Sequence, residues 1–326
     1  MHDQFTLQMI ETNGITLRAA VEGEGPLLIM VHGWPELWYS WRHQIKPIAQ
    51  AGYKVCTIDV RGYGGSDKPH AVEAYDMQTL MADVIGVIDH FGEKQAILIG
   101  HDWGGPIVWN TAALHPDRVA AVAGLSVPYR QRAPVPSIQI WQQLYTDQGK
   151  FFYQVYFQDE GVVEAEVEAD FRTALRKIYH SISGNVPSLG PAWLERPAGG
   201  GLLDAMVDPD PFPDWMTPAD LDYFVQNFQA GGFRGPANRY RNQTRDFKML
   251  PEMGVKPVNQ PSAFIGGSQD VVRFFVPGRD TYAGLGEMCP DLRINRIIDG
   301  AGHWVQQEAP EAVNEALLEF LGTLDC

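Results

Sequence analysis

The stretch that decides the fold is LIGHDWGG, residues 98–105. An apolar run, AILI, ends at Gly100, and Asp102 stands at the bend with Gly104 and Gly105 behind it. A buried strand that turns sharply into a helix can present a nucleophile at the turn, and so tight a turn needs small neighbours. The pattern is G-x-D-x-G. Two readings compete for Asp102. It is a favoured type of helix N-cap, with WGGPIVWN opening a helix directly after it. Alternatively it is a nucleophile, and then an acid and a histidine should follow later in the chain, in that order.

Around this turn the chain alternates strand and helix. FTLQMIE and ITLRAAVE flank the turn TNG and read as a hairpin. PLLIMV, YKVCTIDV and QAILIG are apolar runs of the kind buried on both faces of a sheet. WYSWRHQIKPIAQAG and YDMQTLMADVIGVIDHFG lie between them and read as helices. WGGPIVWNTAALHP and RVAAVAGLSV continue the alternation, so a mostly parallel sheet covered by helices is expected. Near residue 130 the pattern changes. FFYQVYFQ, EAEVEADFRTALRKIYHSI and PADLDYFVQNFQAGG read as helices, separated by the breakers PAGGG and DPDPFPDW. PSAFIGG and LRINRIID then return as buried strands, and PEAVNEALLEFLGTL closes the chain as an amphipathic helix. The expected organisation is an α/β core, residues 1–130 and 250–326, with a helical cap, residues 131–249, over the strand ends where open α/β sheets bind ligands.

Composition narrows the function classes. The 326 residues carry a formal charge of −15, which disfavours nucleic acid or an anionic membrane as partner. The apolar fraction of 45% and charged fraction of 20% are those of a globular protein. Cys56, Cys289 and Cys326 are too few and too scattered for a disulfide framework or a zinc site. The N-terminal stretch lacks an apolar core of signal-peptide length, and no apolar run reaches about 18 residues. A cytoplasmic protein needing no cofactor and no metal is expected, with monomer and homodimer both open.

The acid and the histidine appear where a nucleophile at 102 requires them. GGSQD places Asp270 just past PSAFIGG, and DGAGHW places His303 just past LRINRIID. Asp299 is a weaker rival to Asp270, and the stretch after RVAAVAGLSV offers no carboxylate. An oxyanion hole needs two backbone N–H groups. Trp103 follows the nucleophile, and HGWPE, 32–36, supplies Trp34, with Pro35 able to take a cis bond that aims the amide inward. An aspartate, with a pKa of about 3.9, is ionised without help from a base. It can displace a leaving group from saturated carbon and form an alkyl ester. His303, oriented by Asp270, is then free to activate water against that ester. The bond cleaved is carbon–halide or carbon–oxygen. An epoxide oxygen leaves as a strong base and needs a proton donor, for which tyrosine, with a pKa of about 10, is suited. The insert and its edge hold several, among them Tyr129, Tyr145, Tyr153, Tyr156, Tyr179, Tyr223 and Tyr240. Most tyrosines in such a region simply pack.

Six stretches together, HGWPELWYSWRHQ, DVRGYGGSDKP, IGHDWGG, FFYQVYFQDEG, GGFRGPANRYRN and GAGHWVQQEAP, resemble the soluble epoxide hydrolases of the α/β-hydrolase fold. The resemblance covers nearly the whole chain. It implies Asp102 as nucleophile, His303 as base, Asp270 as its partner, and Tyr153 and Tyr240 as the pair holding the epoxide oxygen. Tyr156 lies one helical step from Tyr153 and is the alternative. The resemblance further implies that Glu36 and His101 help hold the hydrolytic water, against a plain role in loop and turn hydrogen bonding. It implies a small epoxide and water as partners. Trp141, Phe152, Phe157 and Phe228 point to an apolar substrate. Haloalkane dehalogenases, the alternative, share the aspartate but commonly carry Asn where Trp34 stands and lack the paired tyrosines. A ligand receptor reusing the fold without turnover is a more distant alternative.

Overall fold

The computed structural model describes residues 5–186 and 194–324. Cys326 lies outside them. One eight-stranded sheet organises the chain: β1 (Leu7–Thr12), β2 (Ile15–Glu22), β3 (Leu27–Val31), β4 (Lys54–Ile58), β5 (Ala96–His101), β6 (Val119–Leu125), β7 (Ser262–Gly267) and β8 (Leu292–Ile298). Their spatial order is β1-β2-β4-β3-β5-β6-β7-β8. The expected hairpin closes at Asn13 and Gly14, both at positive φ, and β1 and β2 make the antiparallel edge. From β4 to β8 all pairings are parallel. This is the fold class read from the sequence, an α/β-hydrolase sheet with a helical insertion.

β3, β5 and β7 are buried at every residue, as strands covered on both faces must be. α1 (Ile45–Gln50) packs with the closing helix α12 (Pro310–Leu321). α2 (Met77–His90) packs with α3 (Gly104–Leu114). Asp76 caps α2 by accepting the Thr79 amide, a contact of a type worth about 1 kcal/mol. Strand order reverses between β3 and β5. That switch point is where a crevice opens at the carboxyl ends, and both HGWP and Asp102 lie there.

Between β6 and β7 the described chain forms α4 (Ser137–Leu144), α5 (Tyr153–Tyr156), α6 (Val162–Glu168), α7 (Phe171–Ser181), α8 (Pro218–Gly231), α9 (Arg234–Arg241) and α10 (Gln243–Met249). Aromatic side chains and buried polar bonds fix this insertion to the core. Tyr179 donates to the Pro35 carbonyl at 2.6 Å, Trp38 Nε1 to Tyr223 at 2.8 Å, and Tyr39 to Asp220 at 2.7 Å.

Three local expectations need correction. The 164–182 stretch is two helices, because Asp170 leaves helical geometry and caps α7 by accepting the Thr173 amide. WYSWRHQIKPIAQAG is a 3-10 turn, Trp38–Trp41, followed by the short α1, with Pro47 confined to the first helical turn. β8 is an edge strand with alternating exposure, not a fully buried one.

Candidate active site

Asp102 sits between β5 and α3 with φ +48°, a conformation that few non-glycine residues adopt. Only small neighbours allow the turn. A β-carbon on Gly100 would lie 2.2 Å from the Gly104 carbonyl oxygen, and one on Gly104 would lie 2.0 Å from that of Val31. This geometry also corrects the capping reading. The carboxylate of Asp102 makes no helix cap; Trp103 holds the N-cap position of α3 and bonds no amide through its side chain. The carboxylate instead turns into the crevice. Its Oδ1 accepts the Trp34 amide at 2.7 Å. The Trp34–Pro35 bond is cis. A β-carbon on Gly33 would stand 2.4 Å from Oδ1 and 2.7 Å from the Trp103 nitrogen, so only glycine fits beside both.

Oδ2 of Asp102 faces His303 Nε2 at 3.4 Å. His303 Nδ1 lies 3.0 Å from Asp270 Oδ1 and 3.2 Å from Oδ2. All three side chains are buried. Asp299, the rival acid, is exposed and accepts Ser268 Oγ. Burial alone would raise Asp270. The positive His303 beside it and bonds from His303, Tyr282 and the Val272 amide outweigh burial and hold it below the usual aspartate value. Burial likewise works against a charged His303, but Asp270 and Asp102 on its two sides raise it well above 6.5.

Two tyrosines close the site from the insertion. Tyr153 opens α5 and Tyr240 lies in α9, with ring centroids 5.7 Å apart. The Trp34 ring meets Tyr240 edge-on at 5.9 Å and Tyr153 at 6.4 Å. Burial first, and then nearby negative charge, push both phenols above 10, so both keep their protons. Gln154 Nε2 donates to Tyr153 Oη at 2.8 Å, which directs the phenol proton elsewhere. Tyr156 points away and donates to Glu166 at 2.9 Å. Tyr129, Tyr145 and Tyr179 each donate to a main-chain carbonyl.

Glu36 and His101 lie behind the histidine loop. Glu36 accepts from the Gly33 amide at 2.9 Å, His101 Nδ1 at 2.6 Å, and Gln306 at 2.9 Å. His101 Nε2 reaches the His303 carbonyl at 2.7 Å. Burial would raise Glu36, but the charge and hydrogen bond of His101 dominate and hold it at about 2. Both carboxylate oxygens of Glu36 are thus taken by protein donors. Sequence reasoning missed Glu308, whose two oxygens accept the amides of Gly184, Gly302 and Trp304 and so clamp the His303 loop. Its place five residues after His303 in GHWVQQE was the available signal. It also missed Gln154, Ser126 and Tyr282.

A cavity of about 340 Å³ reaches Asp102 past Trp103, Trp109, Trp141, Met253 and Phe275. A smaller one of about 30 Å³ touches Asp102 from the other side, bordered by His303, Trp34, Tyr240 and Met206. It has room for one or two waters. Of the four aromatics offered as substrate-facing, only Trp141 lines these cavities; Phe152, Phe157 and Phe228 pack among other rings. Among the described residues no group of three or more His, Cys, Asp or Glu side chains is arranged to hold a metal ion.

Residues 26–310 match the family model of the alpha/beta hydrolase fold, and the chain belongs to that family. Its relatives place it further. Epoxide hydrolase A of Mycobacterium tuberculosis is 41% identical, over 98% of each chain. The crystal structure of epoxide hydrolase A from Mycobacterium thermoresistibile superposes with a TM-score of 0.92 at 40% identity, covering 98% of this chain and 99% of that one. An epoxide hydrolase from an endophytic Streptomyces also superposes at 0.92, with 39% identity over 98% and 95%. Within the α/β-hydrolase fold, this chain is a member of the epoxide hydrolases.

Proposed function

We infer that the chain hydrolyses epoxides to vicinal diols in two covalent steps. One observation carries the reading: a single buried carboxylate, Asp102, has one oxygen on the Trp34 amide and the other towards His303, and it lines one small cavity together with Tyr153, Tyr240 and His303. The epoxide oxygen hydrogen-bonds to Tyr153 and Tyr240. Asp102 Oδ2 attacks a ring carbon, the ring C–O bond breaks, and its oxygen takes a phenol proton. Oδ1 becomes the ester carbonyl oxygen, already seated in its oxyanion hole.

Ester formation also prepares the second step. It removes the Asp102 charge, one of the two that hold the proton on His303. That proton can then replace the one lost by the tyrosine, leaving His303 neutral. His303 Nε2 takes a proton from water as the oxygen adds to the ester carbon. The tetrahedral oxyanion sits at the two amides and collapses to release the diol. The released alkoxide takes the proton of the new Asp102 carboxyl, and the starting charges are restored. Asp270 stabilises the imidazolium formed on the way.

We assign Glu36 and His101 to bracing, since their bonds tie Gly33 and the His303 carbonyl together. We take residues 131–249 as the cap, because they carry both tyrosines. The aromatic walls of the larger cavity support a small apolar epoxide as substrate. Two free buried cysteines, Cys56 and Cys289, support a cytoplasmic setting, and no helix among the described residues is long and apolar enough to cross a membrane. Diol formation from styrene oxide, measured beside halide release from a bromoalkane, tests the reading. Diol without halide is expected; halide without diol would contradict it.

A further inference from the structure

Tyr282 belongs to no motif in the sequence, yet its hydroxyl donates to Asp270 Oδ2 at 2.6 Å. It completes the bonding of a carboxylate that has no contact with solvent. Oδ1 takes the Val272 amide at 2.9 Å and His303 Nδ1 at 3.0 Å; Oδ2 takes Tyr282 and the longer, 3.2 Å approach of His303. The phenol ring has a prepared slot. A β-carbon on Gly266 would lie 2.4 Å from Tyr282 Cε2, so glycine is required there for the ring to enter. Phe264 meets the ring edge-on at 4.8 Å, and Asp280 Oδ1 accepts the Tyr282 amide at 2.9 Å. Beside the same phenol, Ser126 has φ +65° and donates through Oγ to the His303 carbonyl at 3.0 Å. A strained non-glycine residue at this spot fits a loop held in place for its chemistry.

We propose that Tyr282 is a positioning residue for hydrolysis of the Asp102 ester: its hydroxyl orients the Asp270 carboxylate and draws off part of its charge, so that His303 can release its proton and act on water. The proposal rests on the two-step reading above. Asp270 has two opposed tasks. It must stabilise the imidazolium as water is deprotonated, and it must not hold His303 protonated beforehand. Once Asp102 is an ester, Asp270 is the main remaining anion at the ring. A carboxylate lone pair committed to a phenol proton attracts an adjacent imidazolium less strongly. Tyr282 therefore sets the balance.

The other charged and titratable groups facing this assembly are Asp102 at the elbow, His101 with its ring 5.0 Å from that of His303 and its partner Glu36 behind it, Glu308 in α11 (Val305–Glu308), Tyr153 in α5, and Arg273 and Arg130 beside the Tyr282 ring, with Asp280 paired to Arg273. Removing one hydroxyl leaves all of them in place. A change in the pH dependence of hydrolysis then belongs to the lost bond.

Tyr282→Phe, rapidly mixed with styrene oxide, tests this when ester formation and ester decay are followed separately across pH. Formation should stay within about twofold of the unaltered protein. Decay at pH 7 should slow about fivefold to tenfold, and its acid limb should move up by about one pH unit, as expected for loss of one hydrogen bond to a charged group. The sign follows from the chemistry: Asp270 without its phenol donor holds His303 protonated to higher pH. Gly266→Ala, which displaces the ring, should move the limb in the same direction. A purely structural role would lower both steps without moving the limb. An unshifted limb in Tyr282→Phe would overturn the proposal, whatever the overall rate. Absence of any ester in the unaltered protein would overturn the two-step reading, and the Tyr282 role with it.

Discussion

Asp102 faces two walls, and they are held by different means. The core wall consists of strand ends. Trp34 contributes a main-chain amide, Asp102 stands on a turn that tolerates only glycine around it, and the His303 loop hangs from Glu308 by the amides of Gly302 and Trp304. The cap wall consists of two phenols. Tyr153 begins a helix of four residues and is located by its rings and by Gln154. Backbone fixes the groups that form and break the ester, whereas side-chain packing fixes the groups that hold the leaving oxygen. Changes in the core wall should therefore abolish a step outright, and changes in the cap wall should act by degrees.

The largest effect is expected at the nucleophile. Asp102→Asn should lower diol formation by about 10⁴-fold or more with little loss of melting temperature, since no cap or fold contact depends on the lost charge. Next is His303→Gln. It should still form ester, visible as a mass increase on the protein, while turnover falls by about 10³-fold. A variant that turns over slowly without any adduct would remove His303 from the second step.

The cap wall should respond in a graded way. Tyr153→Phe or Tyr240→Phe alone should cost roughly tenfold to a hundredfold in ester formation, and the pair about 10³-fold, within the usual range for an acid catalyst. Tyr156→Phe should change it by less than about twofold, because its hydroxyl is committed to Glu166. A large effect at Tyr156 instead would break the contrast between the walls at its weaker side.

The smallest effect concerns the brace. Glu36 is held at about 2 against an ordinary 4.5, so its contribution to stability is full above the ordinary value and is lost as pH falls from about 4.5 towards 2. Glu36→Gln should melt lower at neutral pH and lose less on acidification over that window. Thermal melts from pH 7 to pH 2 check this; a slope equal to that of the unaltered protein would contradict the assignment.

The same contrast explains what could be read from the sequence. Asp102 and Asp270 each follow a buried apolar run and His303 follows the half-exposed edge strand β8, all with glycine within three residues, so pattern and punctuation singled them out. The two phenols lie on short helices in an insertion without strand alternation, and only resemblance selected them. The capping reading of Asp102 failed because φ +48° turns its carboxylate into the crevice, which one-dimensional pattern does not carry. The break at Asp170 was legible in principle, since an aspartate directly before an apolar residue that opens a helical pattern, here Phe171, is a cap signal. Tyr282 was not, because it meets Asp270 across a loop and leaves no regular spacing.

The covalent role of Asp102 is tested most directly by one turnover in water enriched in oxygen-18, with protein in excess over epoxide. The first diol should carry no label, because its new oxygen comes from Asp102, and the label should appear in the peptide containing residue 102. Label in the diol from the first turnover, with none in the protein, would mean that water attacks the epoxide directly and that Asp102 is not the nucleophile.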